Sequence, residues 1–276
     1  KNLMKSIYKL LLLFGLFTCI ISCKNNLPEY NDPIPKHDTF TVDSKQLNEK
    51  RVINVWVPEG YSTSKDSLTV LYMPDGGTKE DFSHIANTLA ELIKVNKIKP
   101  VILVGIENIQ RRKDLTPKTE IEEDKKIAPI VGESKEFRTF IQDELFPEID
   151  KRYRTKAEKG IIGESLAGLF IMETFMEQPN LFDFYIAIDP SLWWNDHYLV
   201  KNAKQDLKNF PKTTKKLWFA GSGATDILQY TEELKNILTQ ENIPNLKWNY
   251  SPEPKEEHST IYRATKEKAL IWSIGK

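Results

Sequence analysis

The chain has 276 residues, in which 39 Lys and Arg balance 39 Asp and Glu, with 40% apolar and 28% charged residues. A formal charge of zero and no long basic run remove the electrostatic footprint of a general nucleic-acid binder, because phosphate contacts supply most of such affinity. Four His and two Cys argue against a structural zinc site or a disulfide framework, and the length suits one large α/β domain or two small ones.

Lys1, Lys5 and Lys9 precede an uncharged run from Leu10 to Ile21, a basic region followed by an apolar one as in an export signal. The run falls short of the roughly 20 apolar residues that a membrane span needs. At its end Ile20-Ile21-Ser22-Cys23 resembles a bacterial lipobox, with a small residue before the cut and a thiol after it to carry lipid. Residues 1–22 therefore read as a lipoprotein signal peptide and Cys23 as the lipidated residue, since two or more acyl chains anchor stably where one is marginal. On that reading Cys19 leaves with the signal and Cys23 is blocked, so no thiol remains for catalysis. The alternative is an ordinary secretory signal that contains Cys23. Residues 23–38 carry Pro28, Pro33 and Pro35 and read as a tether, with His37 solvated in it. The folded domain is expected over 39–276.

The domain alternates apolar runs with amphipathic ones. Strands are expected at 52–57, 68–73, 100–106, 160–163, 184–188, 217–220 and 246–250, several of them near-continuous apolar runs, as in strands covered on both faces. Ile85, Leu89, Leu92 and Ile93 share one face of a helix over about 79–96, and Phe137, Phe140, Ile141, Leu145 and Ile149 one over about 134–152. Further helices are expected from near 166, 226 and 259, and the charged stretch 113–126 as a surface loop at a site rim. Strand-helix alternation predicts a mostly parallel central sheet with helices on both faces. No internal repeat and no second hydrophobic core are visible.

Gly163-Glu164-Ser165-Leu166-Ala167-Gly168 follows the strand at 160–163 and precedes an apolar helix. The strict nucleophile elbow, Gly-x-Ser-x-Gly, is not met, because Ala167 stands at its last position and Gly168 follows. The elbow needs small residues where the strand turns sharply into the helix, and alanine is small. A Gly-rich turn without chemistry is the plain alternative. A serine nucleophile needs a base that comes last in chain order, and His258 stands after the last strand and before the last helix. His84 reads as a packed surface residue and His197 as a loop residue near the pocket. The acid is expected at Asp226, on the loop after the strand at 217–220. Its competing role is a helix cap, and Glu232, Glu233 or a bare Ser-His dyad are the alternatives. Two backbone amides would form an oxyanion hole: Leu166, and one from the bend Pro74-Asp75-Gly76-Gly77-Thr78, which could equally be a turn with Thr78 as cap.

Together these residues resemble the esterase family of α/β hydrolases that includes esterase D, feruloyl and acetylxylan esterases, mycolyltransferases and enterochelin (siderophore) esterases. The resemblance spans most of 50–270. Its blocks are Val57-Pro58-Glu59-Gly60-Tyr61, Val70 to Gly76, Val104 to Asn108 with Arg111 to Pro117, Glu144 to Asp150 with Tyr153-Arg154-Thr155, the Ser165 elbow, Asp189-Pro190-Ser191-Leu192-Trp193-Trp194, and Glu257-His258. It implies an α/β-hydrolase fold, Ser165 as nucleophile, His258 as base and the Gly77 and Leu166 amides as oxyanion donors. The blocks at 111–117 and 191–194 are most similar to the branch with periplasmic siderophore esterases.

Trp193 and Trp194 read as one buried ring and one lining a cleft for a flat group. Arg111 and Arg112 could meet an anionic substrate, or one could pair with Asp114 or Glu107. The resulting expectation is a lipid-anchored, exported serine esterase that needs no metal or organic cofactor and acts on a small-molecule or glycan ester. Acyl transfer by the same residues, and a non-catalytic binding lipoprotein, are the alternatives.

Overall fold

The computed structural model describes residues 30–276, so the proposed signal peptide, Cys23 and the start of the tether lie outside the described residues. The compact unit that carries the elements below is Asp32–Lys276. Its strands are β1 (Asp38–Ser44), β2 (Glu49–Trp56), β3 (Leu68–Pro74), β4 (Val101–Ile106), β5 (Thr155–Glu164), β6 (Phe184–Ile188), β7 (Lys215–Ser222) and β8 (Leu246–Glu253). They form one sheet in the order β1-β2-β4-β3-β5-β6-β7-β8. β1 and β2 run antiparallel to their neighbours, and every other pairing is parallel.

Side chains that alternate along a strand go to opposite faces, and in the central strands both faces are apolar. Val70 and Tyr72 of β3, Tyr185 and Ala187 of β6, and Leu217 and Phe219 of β7 join one buried cluster, which the helices Leu166–Glu177 and Thr225–Glu241 cover. Leu71 and Met73, Ile186 and Ile188, and Trp218 and Ala220 join a second cluster under Phe82–Lys94 and Ile261–Ile274. The buried apolar residues thus lie on the two faces of one sheet, as helices on both faces require.

β1 was not expected. Only Phe40 and Val42 of its apolar positions are half-buried, so the segment offers a weak alternating signal between charged residues. β5 starts five residues before the apolar run, because its polar first half extends beyond the helical cover. The expected helix 134–152 is interrupted by a π-helical turn at Ile141–Leu145 between Ser134–Phe140 and Phe146–Arg152. Pro147 has no N–H to give to the preceding turn, and the bonding register slips there.

Two segments are more ordered than the sequence suggested. Residues 32–37, read as tether, lie on the domain: Asp32 pairs with Arg263, Asn87 donates to the Pro33 carbonyl at 2.8 Å, and the His37 ring meets Phe82 edge-on. The stretch 113–126 holds short helices, Arg111–Leu115 and Glu122–Lys125, with Lys113, Asp114 and Asp124 buried. Asp114 accepts from Arg51 of β2 at 2.6 Å, which ties the short helix bearing Arg111 to the sheet. Burial pushes the Asp114 carboxyl up, against the pull of Arg51. Arg51 also pairs with Glu49, so loss of Asp114 weakens its support without leaving the charge alone. Asp114→Ala should therefore lower unfolding free energy by about 1–3 kcal/mol, read from the shift in urea midpoint.

Candidate active site

β5 ends at Glu164, and the helix Leu166–Glu177 begins two residues later. Between them Ser165 sits at φ 61°, ψ −120°, a conformation that costs a non-glycine residue on the order of 1–3 kcal/mol and persists only when neighbours over-determine it. They do so here. The Ser165 N–H donates to the Ile188 carbonyl at 3.0 Å, and its own carbonyl accepts from Leu169 at 2.9 Å and Ser191 at 3.2 Å. A Cβ on Gly163 would stand 2.6 Å from the Ala167 Cβ, and one on Gly168 would stand 3.0 Å from the Ile188 carbonyl oxygen. Ala167 is accommodated because residue 163 has no side chain, and the close approach to β6 is made by Gly168 instead.

His258 lies between β8 and the helix Ile261–Ile274. Its Nε2 is 3.0 Å from Ser165 Oγ, and its Nδ1 is 2.5 Å from Asp189 Oδ2. Asp189 is fully buried at the end of β6, also with positive φ. Its carboxylate accepts from the Ser222 N–H at 2.5 Å and from the Ser222 hydroxyl at 2.9 Å. The acid expected at Asp226 is not the one beside His258. Asp226 is exposed in the first turn of Thr225–Glu241, whose N-cap is Ala224, and Glu232 pairs with Lys235. The reason is topological: β6 lies directly between β5 and β7, so its end faces the imidazole, while the chain after β7 has already turned into a helix. Asp189 stood in the Asp-Pro-Ser-Leu-Trp-Trp block directly after a five-residue apolar strand, which was the signal available; the place of that strand beside β5 comes from the sheet order.

Leu166 opens its helix, so its N–H lies ahead of the first intrahelical bond. The Gly77 amide, the other expected oxyanion donor, is engaged elsewhere. It donates to Glu80 Oε2 at 2.6 Å, and the Glu80 N–H returns to the Gly77 carbonyl at 2.9 Å, a reciprocal arrangement like a capping box. Asn108 Nδ2 donates to Glu80 Oε1 at 2.9 Å. Burial pushes the Glu80 carboxyl up, partly offset by the Gly77 bond.

Ser165, Leu166, His258, Arg111, Arg112, Trp193 and Asp226 line one cleft of about 420 Å³. Arg111 pairs with Asp75 rather than with Asp114 or Glu107, through Nε at 2.7 Å and Nη2 at 2.8 Å. Arg112 donates to the Ile127 carbonyl. Trp193 is half-buried; Trp194 is buried, and its indole N–H donates to the Pro117 carbonyl at 3.0 Å. Next to them Asn195, Asp196 and His197 are all left-handed, and Asn195 is held by Asp124 and Thr119. His197 stacks on Tyr230 at 4.7 Å. His84 is buried against Asp81 and Tyr262, not at the surface, and burial lowers its basicity. Among the described residues no group of three or more His, Cys, Asp or Glu could hold a metal ion, and no helix is long and apolar enough to cross a membrane.

The sheet order and the elbow define an α/β hydrolase. A family model described as Putative esterase matches residues 44–261, and the chain belongs to that family, as an enzyme of the serine esterase class. It is 27% identical over 213 residues to the ferri-bacillibactin esterase BesA of Bacillus subtilis, covering 65% of this chain and 68% of that one. With the siderophore triacetylfusarinine C esterase of Aspergillus fumigatus it shares 26% identity, over 62% of this chain and 61% of that one. An IroE-like serine hydrolase from Shewanella oneidensis superposes with a TM-score of 0.74 at 25% identity, over 86% of this chain and 78% of that one.

Glu164, adjacent to the nucleophile, carries an Oε1 that is buried without a hydrogen-bond partner. Burial first, then the charges of Asp81, Asp189 and Asp75, push its carboxyl well above the ordinary value. A carboxyl raised in the folded state contributes stability that is full below its unfolded value and is lost as pH rises through the folded one. Glu164→Gln should therefore match the wild type near pH 4 and gain on it as pH rises, measured by urea unfolding at pH 4 and pH 8.

Proposed function

We propose that the chain hydrolyses carboxylic esters through Ser165, His258 and Asp189, and that it works in the cell envelope, anchored by lipid on Cys23. The observation that carries the first part is the continuous contact from Ser165 Oγ to His258 Nε2 at 3.0 Å and from His258 Nδ1 to Asp189 at 2.5 Å. Hydrogen-bond reach between nucleophile and base is the geometric requirement for activating a serine. His258 takes the hydroxyl proton as Ser165 attacks the carbonyl carbon, and returns it to the leaving alcohol. Asp189, fixed by Ser222, holds the imidazole with Nε2 toward the serine and stabilises its charged form. Water then enters by the same base to release the acyl group. These steps use only side chains and backbone amides of this chain.

The relatives support a reading of the substrate class. Two are named siderophore esterases, and one is named an endo-1,4-beta-xylanase/feruloyl esterase, which supports a siderophore or another ester with an aromatic or sugar group at the Trp193 wall. The envelope location rests on the basic and apolar residues 1–21 and the lipobox-like Ile20-Ile21-Ser22-Cys23.

The test is hydrolysis of p-nitrophenyl acetate and butyrate by the chain from residue 24. Ser165→Ala and His258→Ala should lose roughly 10⁶-fold in kcat with folding unchanged. Asp189→Asn should lower kcat by ~10⁴-fold, as loss of the orienting acid does in serine hydrolases, whereas Asp226→Asn should keep it. For the anchor, expression of the whole chain in a bacterium fed labelled palmitate should label the wild type and leave Cys23→Ser unlabelled.

A further inference from the structure

Resting on the lipid-anchor reading, we propose that the end of the domain that carries the Ser165 cleft faces the bilayer holding the lipid on Cys23, and that residues 32–37 are the strap that fixes this orientation. The strap is tied at three points. Asp32 Oδ1 accepts from Arg263 Nη1 at 3.2 Å, Asn87 Nδ2 donates to the Pro33 carbonyl at 2.8 Å, and the His37 ring meets Phe82 edge-on. The Asp32 and Arg263 side chains are largely withdrawn from water, and the guanidinium holds the Asp32 carboxyl below its ordinary value. All three partners lie in the first two turns of the helices Phe82–Lys94 and Ile261–Ile274. A helix that follows a parallel strand starts at that strand's carboxyl end, which is the end where such sheets hold their ligands. Ser165 follows β5 and His258 follows β8, and Arg263 comes five residues after His258. The strap therefore crosses the domain at the cleft end.

Chain length then decides which end can meet the membrane. Nine peptide steps separate Cys23 from Asp32, and a fully extended chain of that length reaches at most about 32 Å. A globular domain the size of Asp32–Lys276 is roughly 45 Å across, judged from the radius of gyration usual for its length. A lipid tethered at Asp32 thus lets the strapped end touch the bilayer and keeps the far end off it. The exposed apolar side chains follow the same division. Singly scattered ones are ordinary, but among the described residues of this domain the large ones gather near the cleft. Ile34 belongs to the strap, and Ile109 stands two residues before Arg111 of the cleft. Ile130 lines a pocket of about 660 Å³ that shares Arg111 and Arg112 with the cleft, and Tyr198 follows the left-handed residues after Trp193. Only Val95 lies at the far end, where the helix Phe82–Lys94 stops. Apolar side chains gain by entering the boundary between headgroups and acyl chains, and an ester then reaches Ser165 from the membrane surface.

The test uses the full chain, purified with its lipid and reconstituted in vesicles of phosphatidylethanolamine and phosphatidylglycerol that carry a nitroxide on a fraction of the headgroups. With Cys19 removed and Cys23 acylated, a cysteine placed at one exposed position is the free thiol that takes a fluorophore. The label on Ile109→Cys and on Ile130→Cys should lose most of its emission to the nitroxide, and the label on Val95→Cys should keep it. Adding Asp32→Ala with Asn87→Ala, which releases the strap, should narrow that difference while thermal melting stays close to wild type. Equal quenching at Val95→Cys and Ile109→Cys with the strap intact, or stronger quenching at Val95→Cys, overturns the proposal, as does a difference that release of the strap leaves unchanged. Dimerisation of the chain from residue 24 that Ile109→Ser with Ile130→Ser abolishes would give this face to a second copy and overturn it too. A wild-type chain that takes up no labelled palmitate overturns the anchor reading and this proposal with it, whereas the esterase reading stands or falls separately on hydrolysis of p-nitrophenyl acetate.

Discussion

A carboxylate with no contact to water survives only when donors surround it, and the buried carboxylate of Asp189 is the constraint around which the site closes. β6 brings it to the sheet edge, β7 supplies both Ser222 donors, and the turn after β8 delivers His258. The preceding residue, Ile188, accepts from the Ser165 N–H. One strand end thus holds the backbone of the serine and, through the imidazole, its hydroxyl. Parallel strands make this possible, because β5, β6, β7 and β8 all end on the same side of the sheet.

A second set of charges stands beside the first. Asp75, Arg111, Asn108 and Glu80 form a connected chain of hydrogen bonds from the bend after β3 to the short helix after β4. Its members are mostly withdrawn from water, so each depends on the next. Arg111 is therefore placed from two directions: by Asp75 through its own fork, and by the Arg51–Asp114 contact through its helix.

The central strands were legible because both their faces are covered, which leaves long apolar runs, and Ser165 and His258 were legible because each stands at a junction between elements of different period. β1 was not, since half an alternation at an exposed edge leaves little trace. Asp189 was hidden for a different reason. Asp-Pro after a strand also reads as a turn, and only the lateral order of β5, β6 and β7, a long-range property, shows which strand end faces the histidine. The reciprocal pair of Gly77 and Glu80 could have been read from its spacing of three residues, but the Gly-rich bend drew attention to its amides as donors to a ligand rather than to their own neighbours.

On the proposed relay through Asp189, the segment after β7 bears no part of the proton transfer, yet Ala224, Asp226 and Ile227 line the cleft. A change of side chain there alters the cleft wall without touching His258 or Asp189. That loop can change shape without touching the β6 end, where Asp189 meets His258 and Ser222 and Ile188 accepts from the Ser165 N–H, so a change at the β6 end disturbs three partners at once.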